Sequence, residues 1–207
     1  MRISAVIPIY NNEVSVAHVA RVLTGHPGVD EVIAVDDGST DGSAAAVSGV
    51  PGVKLVRFAA NLGKGAGIVA GWHAASHDHI LTVDADISRL RPDHVTDLIS
   101  TYRAGKWDMV LSVNEYRFNI FASVTGQRIY RKQTVLPFVR VAETVGNGIE
   151  QVINHAHRGK RVKRIIARNV GHLLKHHKND PLTAAVLYAR EGWQIARTEV
   201  VLLTRQA

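Results

Sequence analysis

The 207-residue chain contains no cysteine, which excludes disulfides, thiolate nucleophiles and cysteine-based zinc sites and fits a reducing compartment. No apolar run approaches the ~18 residues of a membrane span. The opening stretch Met1 to Pro8 is too short for the apolar core of a secretory leader and reads as a first strand. Aromatic residues make up 6% of the chain, without the ladder on which nucleic-acid bases stack. There is no internal repeat and no low-complexity tract. What remains is an ordinary globular composition, 46% hydrophobic and 21% charged, in a chain long enough for one substantial core.

Negative charge is scarce in the second half. Residues 1 to 102 hold 7 Lys/Arg and 11 Asp/Glu, a net of −4, whereas residues 103 to 207 hold 18 and 7, a net of +11. A basic half suits nucleic acid, an anionic membrane surface or an anionic substrate, and equally a solvated surface.

Through residue 112, short β-branched runs alternate with longer amphipathic ones, the sign of βαβ units and a mostly parallel sheet. Strands are expected at Ile3 to Pro8, Glu31 to Val35, Lys54 to Phe58, His79 to Val83 and Met109 to Val113. Helices are expected near 13–24, 41–48, 64–76 and 93–104. Beyond 113 the pattern predicts a short strand at 127–131, helical stretches over 132–158 broken near Gly146-Asn147-Gly148, a basic strand at 161–170 and a helix at 182–191.

Each early strand ends in polar or glycine-rich residues. They are Tyr10-Asn11-Asn12, Asp36-Asp37-Gly38-Ser39, Asn61-Leu62-Gly63-Lys64-Gly65 and Asp84-Ala85-Asp86. In an open parallel sheet the carboxyl ends lie along one edge, so these segments converge on one cleft. Asp84 and Asp86 follow the apolar run Ile80 to Val83, and carboxylates are almost never left in an interior without a partner. Two hard oxygen donors at a strand end suit Mg²⁺ or Mn²⁺ holding a phosphate. In Asp36 to Asp41, Ser39 or Thr40 can cap the following helix, which leaves one of the paired acids for a ligand. The glycines around Lys64 let backbone N–H groups approach a phosphate, with the lysine adding positive charge; a plain glycine-rich turn reads the same way.

Taken together, Ile7-Pro8-Ile9-Tyr10-Asn11-Asn12-Glu13, Val35 to Asp41, Asn61 to Gly65 and Asp84-Ala85-Asp86 resemble, in order and spacing, a family 2 glycosyltransferase of the GT-A type. The resemblance covers residues 3 to about 112. It implies an α/β nucleotide-diphospho-sugar transferase fold, with a mostly parallel central sheet flanked by helices and a short basic C-terminal extension. It further implies a single domain over 1–207, in which 1–112 bind a UDP- or GDP-linked sugar and 113–207, with a C-terminal helical extension, bind the acceptor. Pro8, Tyr10 and Glu13 would line the nucleoside pocket and Asp37 would meet the base. Lys64, Asp84 and Ala85 would complete the donor site, with Asp84 shared between ribose and metal and Asp86 the direct ligand of Mg²⁺ or Mn²⁺.

In the second half, Thr125-Gly126-Gln127-Arg128 resembles a segment of the family members that glycosylate polyprenyl phosphates, with Gln127 a departure. Beside Asp86, the second catalytic candidate is Glu150, as a base toward an acceptor hydroxyl, with Glu143 its competitor. With an acceptor that is already an anionic lipid phosphate, no strong base is needed and Glu150 would orient a basic group. His172, first after the basic strand, is the candidate third metal ligand. Arg117, Arg128, Arg131 and Lys175 are candidates for phosphate contacts. The expected protein is cytoplasmic, with peripheral contact at the inner face of a membrane and no nucleic-acid partner. The alternatives are a noncatalytic sugar-nucleotide-binding partner of a membrane protein and a basic nucleic-acid-binding module.

Overall fold

The computed structural model describes residues 1–114, 126–170 and 181–204. Among the described residues, seven strands form one sheet: β1 (Ile3–Ile9), β2 (Glu31–Asp36), β3 (Val53–Arg57), β4 (His79–Thr82), β5 (Met109–Asn114), β6 (Arg128–Arg131) and β7 (Val162–Ala167). Their order is β3-β2-β1-β4-β6-β5-β7. Neighbours run parallel except on either side of β6, which is antiparallel to both β4 and β5. The helices are α1 (Val16–Thr24), α2 (Ser43–Ser48), α3 (Lys64–Ala74), α4 (Pro92–Arg103), α5 (Lys132–Val135), α6 (Val139–Ala142), α7 (Ile149–Ala156) and α8 (Pro181–Thr204), with 3-10 turns at Leu136–Phe138 and Gly146–Gly148. The expected mostly parallel sheet flanked by helices is present, and one sheet runs through both halves of the chain.

β1 is central and apolar on both faces because helices cover each side. On one side α1 buries Val16, Val19, Ala20 and Leu23, spaced to share a helical face. On the other, α3 comes close enough that a Cβ on Gly71 would overlap the Val6 side chain. Trp72 and Tyr130 fill that layer, the indole N–H donating to the phenol oxygen at 2.9 Å. Pro8 sits in this central strand without a defect. Val6 C=O accepts from Val83 N–H, so the backbone of Pro8, two residues on, faces the side where β4 has already ended, and its missing N–H leaves no gap.

The strand order places the switch point between β1 and β4, where crossovers leave in opposite directions and ligands enter α/β sheets. Because β6 is reversed, its first residue Arg128 lies opposite Thr82, at the edge where β4 ends, and its last, Arg131, lies opposite His79. The phosphate-contact expectation for Arg131 is therefore corrected. That side chain is at the far edge of the sheet, 3.6 Å from Asp78.

Two buried histidines set an acid limit on stability. His26 Nδ1 accepts from Gly28 N–H at 3.0 Å. Its Nε2 lies 3.0 Å from the Thr96 hydroxyl, whose own proton goes to Pro92 C=O, which assigns the neutral Nε2–H tautomer. His157 donates from Nδ1 to Ile153 C=O at 2.7 Å, and its buried Nε2 has no partner among the described residues. Burial lowers both pKa values below the ordinary 6.5, with Arg103 adding to the effect at His26 and Arg128 at His157. A lowered folded pKa means that the unfolded chain binds the proton first, so this stability is complete above about 6.5 and is lost as pH falls. Thermal unfolding between pH 7.5 and 5.5 should show a falling melting temperature, with a shallower fall in His157→Phe. An unchanged slope would remove His157 from the account.

Candidate active site

The loops at the carboxyl edge are fastened to one another before any ligand is considered. After β1, Tyr10 is 47% exposed and Asn11 takes a left-handed turn, φ 52°. Asn11 donates its backbone N–H to Ser39 Oγ and accepts from Thr40 N–H, both at 3.0 Å. Asn12 N–H donates to Ser43 Oγ at 2.7 Å. Glu13 Oε2 accepts from Gly42 N–H at 2.8 Å, and Asp41 Oδ1 accepts from Ser43 N–H at 3.0 Å. Neither Ser39 nor Thr40 caps α2. Asp41 and Glu13 satisfy its first amides, so the Glu13 carboxylate expected in the nucleoside pocket is committed to holding the two loops together.

The paired acids after β2 divide their work. Asp36 is fully buried, takes the Arg57 guanidinium at 3.0 Å and accepts from Ser39 N–H. Asp37, 3% exposed, reaches the next motif and accepts Leu62 N–H at 2.6 Å and Gly63 N–H at 2.8 Å. Burial raises its pKa, the two amides oppose the rise and the Asp36 charge adds to it. Two consequences follow from these contacts. Asp37 shapes the 61–63 loop with both carboxylate oxygens. The Leu62 and Gly63 amides point at Asp37, and a Cβ on Gly65 would overlap Ala142 C=O. The glycines around Lys64 thus serve a tight turn and close helix packing, with Gly63 at φ 97°, rather than an open phosphate cradle.

Lys64, first residue of α3, turns its side chain toward the end of β4. Its Nζ lies 2.7 Å from Asp84 Oδ1 and 2.6 Å from Glu150 Oε1. Glu150 is 3% exposed on α7. Burial disfavours the ammonium, but the two carboxylates outweigh it and hold the Lys64 pKa well above the ordinary lysine value. Below Glu150 lies Arg128, fully buried, donating to Glu150 C=O at 3.3 Å and to Asn154 Oδ1 at 3.0 Å. Burial lowers the Arg128 pKa against the pull of Glu150, Tyr130 and Asp84. Its expected phosphate contact becomes a role beneath the cleft. Asn154 was not foreseen, although its spacing of four from Glu150 puts both on one helix face.

Glu150, the expected base, has its Oε1 held by the Lys64 ammonium at 2.6 Å. The competing Glu143 lines a separate groove of about 430 Å³ with Phe58, Leu62 and His73. Ala85 is buried, and its C=O accepts from Ser15 Oγ at 2.6 Å, which fixes the backbone between the two acids. Asp84 and Asp86 are both partly exposed, and Gly126 lies so close that a Cβ there would overlap the Asp84 carboxylate. Arg117, His172 and Lys175 lie outside the described residues.

Mg²⁺ is commonly held by one or two carboxylates together with substrate phosphates. Asp84 and Asp86 at the strand end fit that donor set. Among the described residues no group of three or more His, Asp or Glu side chains comes together as a metal site.

The fold is that of the GT-A nucleotide-diphospho-sugar transferases. Glucosyl-3-phosphoglycerate synthase from Mycobacterium tuberculosis, solved with Mn²⁺, UDP and phosphoglyceric acid, matches over 97% of this chain and 78% of that chain, with TM-score 0.77 and 18% identity. The same enzyme solved with Mg²⁺ and UDP also gives 0.77, over 97% and 79%. The chain belongs to glycosyl transferase family 2, whose sequence model matches residues 4–172. Undecaprenyl-phosphate 4-deoxy-4-formamido-L-arabinose transferase from Aeromonas hydrophila is 35% identical over 142 residues, which cover 63% of this chain and 42% of the relative. Its Yersinia enterocolitica namesake is 31% identical over 139 residues, covering 62% and 41%. The chain thus spans about two-fifths of the length of the curated relatives it matches.

Proposed function

We propose that this chain transfers a sugar from a UDP- or GDP-linked donor to the phosphate of a polyprenyl-phosphate acceptor, by one in-line displacement that inverts C1. The observation that carries the reading is the commitment of Glu150 to Lys64 at 2.6 Å. A hydroxyl acceptor would need a free base at that place, whereas an acceptor phosphate is already an anion and needs none. The curated relatives, named for undecaprenyl phosphate, support the same acceptor class.

In this reading a phosphate oxygen attacks C1, the C1–O bond to the diphosphate breaks, and its electron pair leaves with the nucleoside diphosphate. Lys64 is a fixed positive charge at the end of β4, where that diphosphate would rest. Asp84 and Asp86 would hold a divalent cation, which when bound supplies neutralisation of the leaving group. Tyr10 offers an exposed ring to the nucleoside. Lys160 and Arg164, exposed at the turn before β7 and on β7, offer basic surface to anionic headgroups at a membrane face.

UDP or GDP should raise the melting temperature only with Mn²⁺ or Mg²⁺ present, and Asp86→Ala should abolish the shift. Equal stabilisation without metal would remove the metal bridge. Product assays with each sugar nucleotide should then show transfer to a polyprenyl phosphate and none to the matching polyprenol. Equal transfer to the alcohol would overturn the acceptor assignment.

A further inference from the structure

Three charged side chains meet at the end of β4, and two of them are pinned. Asp84 is anchored through its neighbour, since Ala85 C=O accepts from the buried Ser15 hydroxyl at 2.6 Å. Its carboxylate is also walled in on one side, because a Cβ on Gly126 would overlap Cγ and both oxygens. Glu150 is 3% exposed, and fully buried Arg128 donates to its C=O at 3.3 Å. Lys64 is the adjustable member. It reaches both acids from the first residue of α3, on a flexible four-carbon stem that ends in three N–H donors. Its Nζ is 2.7 Å from Asp84 Oδ1 and 2.6 Å from Glu150 Oε1.

We propose that Lys64 and the divalent cation compete for Asp84, and that a nucleoside diphosphate resolves the competition by giving the ammonium a phosphate oxygen in exchange. Metal and nucleotide then bind cooperatively, each favouring the other. The inference rests on the metal bridge proposed above, in which Asp84 and Asp86 hold the cation. A carboxylate neutralised by a divalent cation no longer attracts an ammonium, and two cations on one carboxylate repel each other. With Asp84 held by Ser15 and Gly126, the ammonium is the group that yields.

Yielding is costly without a replacement. The Lys64 side chain keeps only 23% of its surface, so an ammonium that gives up one of two carboxylates regains little water. A diphosphate brings anionic oxygens to the same place and removes that cost. Glu150 retains Nζ throughout, so the positive charge stays at the end of β4 while its second partner changes from Asp84 to phosphate.

Mn²⁺ binding without nucleotide, read from the electron paramagnetic resonance of the unbound ion, tests the competition. The comparison is made in Glu150→Gln, which relieves the carboxylate repulsion that removing Lys64 would leave. Lys64→Met/Glu150→Gln should bind Mn²⁺ about tenfold more tightly than Glu150→Gln, both keeping their far-UV spectrum. The gain should persist in about 0.5 M KCl, which screens exposed charges far more than a direct contact. UDP, or GDP where that nucleotide gives the melting shift, should tighten Mn²⁺ binding by a factor roughly ten times smaller in the double variant than in Glu150→Gln, as reciprocal coupling requires. Equal Mn²⁺ affinity in the two variants, or a gain erased by salt, would overturn the competition and leave the metal bridge standing. A wild type that binds no Mn²⁺ even with nucleotide present would overturn the metal bridge itself, and this inference with it.

Discussion

Replacing Lys64 by methionine should cost roughly 3 kcal/mol in denaturant unfolding and abolish sugar transfer. The stability loss follows from the two carboxylates that the ammonium joins. Without it, Glu150 stays 3% exposed and Asp84 stays beside it, two like charges that have lost the ammonium joining them. Breaking a buried pair costs ~3–5 kcal/mol, and the lower end applies because the Lys64 and Asp84 side chains keep 23% and 20% of their surface. The double variant Lys64→Met/Glu150→Gln should recover part of the stability and none of the transfer. Recovery of both would demote Lys64 to a structural counter-ion. The sign with pH is also fixed. A raised lysine pKa gives stability that is complete below the ordinary value of 10.5 and is lost as pH rises through the folded value. The gap between wild type and Lys64→Met should therefore be flat from pH 7 to 9, and a steep slope there would contradict the assignment.

Gly65→Ala is expected to destabilise the protein by about 3 kcal/mol, although alanine in place of glycine inside a helix ordinarily gains about 1 kcal/mol. The sign reverses because the new Cβ overlaps the backbone carbonyl of Ala142, which no rotamer change can relieve. α3 and α6 must separate, and Lys64, one residue earlier, moves with α3. Urea unfolding gives the first number and the nucleotide-induced melting shift the second, and both should fall together. A Gly65→Ala protein as stable as wild type would mean that the helices are not in contact at this point.

The first half was legible because each strand is short, β-branched and closed by turn residues, so β1 to β5 begin within one residue of where the alternation of patterns puts them. The cleft was legible for the same reason, since parallel strands deliver all their carboxyl ends to one edge. What the sequence hid was partner choice. Glu13, Asp37 and Lys64 are polar residues in the right place, yet only the folded contacts reveal that they bind Gly42, the Leu62 and Gly63 amides, and two acids. Arg128 and Arg131 look alike in sequence and lie at opposite ends of a four-residue strand whose reversal nothing local announces. The last helix was expected over 182–191 and continues to Thr204. Gly192 and the β-branched Thr198, Val200 and Val201 weaken the local helical signal, and tertiary packing of Thr198 against Gly148 overrides it.

That last contact also sets an order of events. A Cβ on Gly148 would overlap Thr198, and the turn it ends begins at Gly146, which lies against Gly63 and Gly65 at the start of α3. The 61–65 loop is thus supported from outside by a helix that leaves the ribosome long after the loop itself. While the chain is still being made, Leu62 and Gly63 can form their hydrogen bonds to Asp37 but the loop lacks this outer support. The cleft reaches its final packing only once residue 198 has emerged.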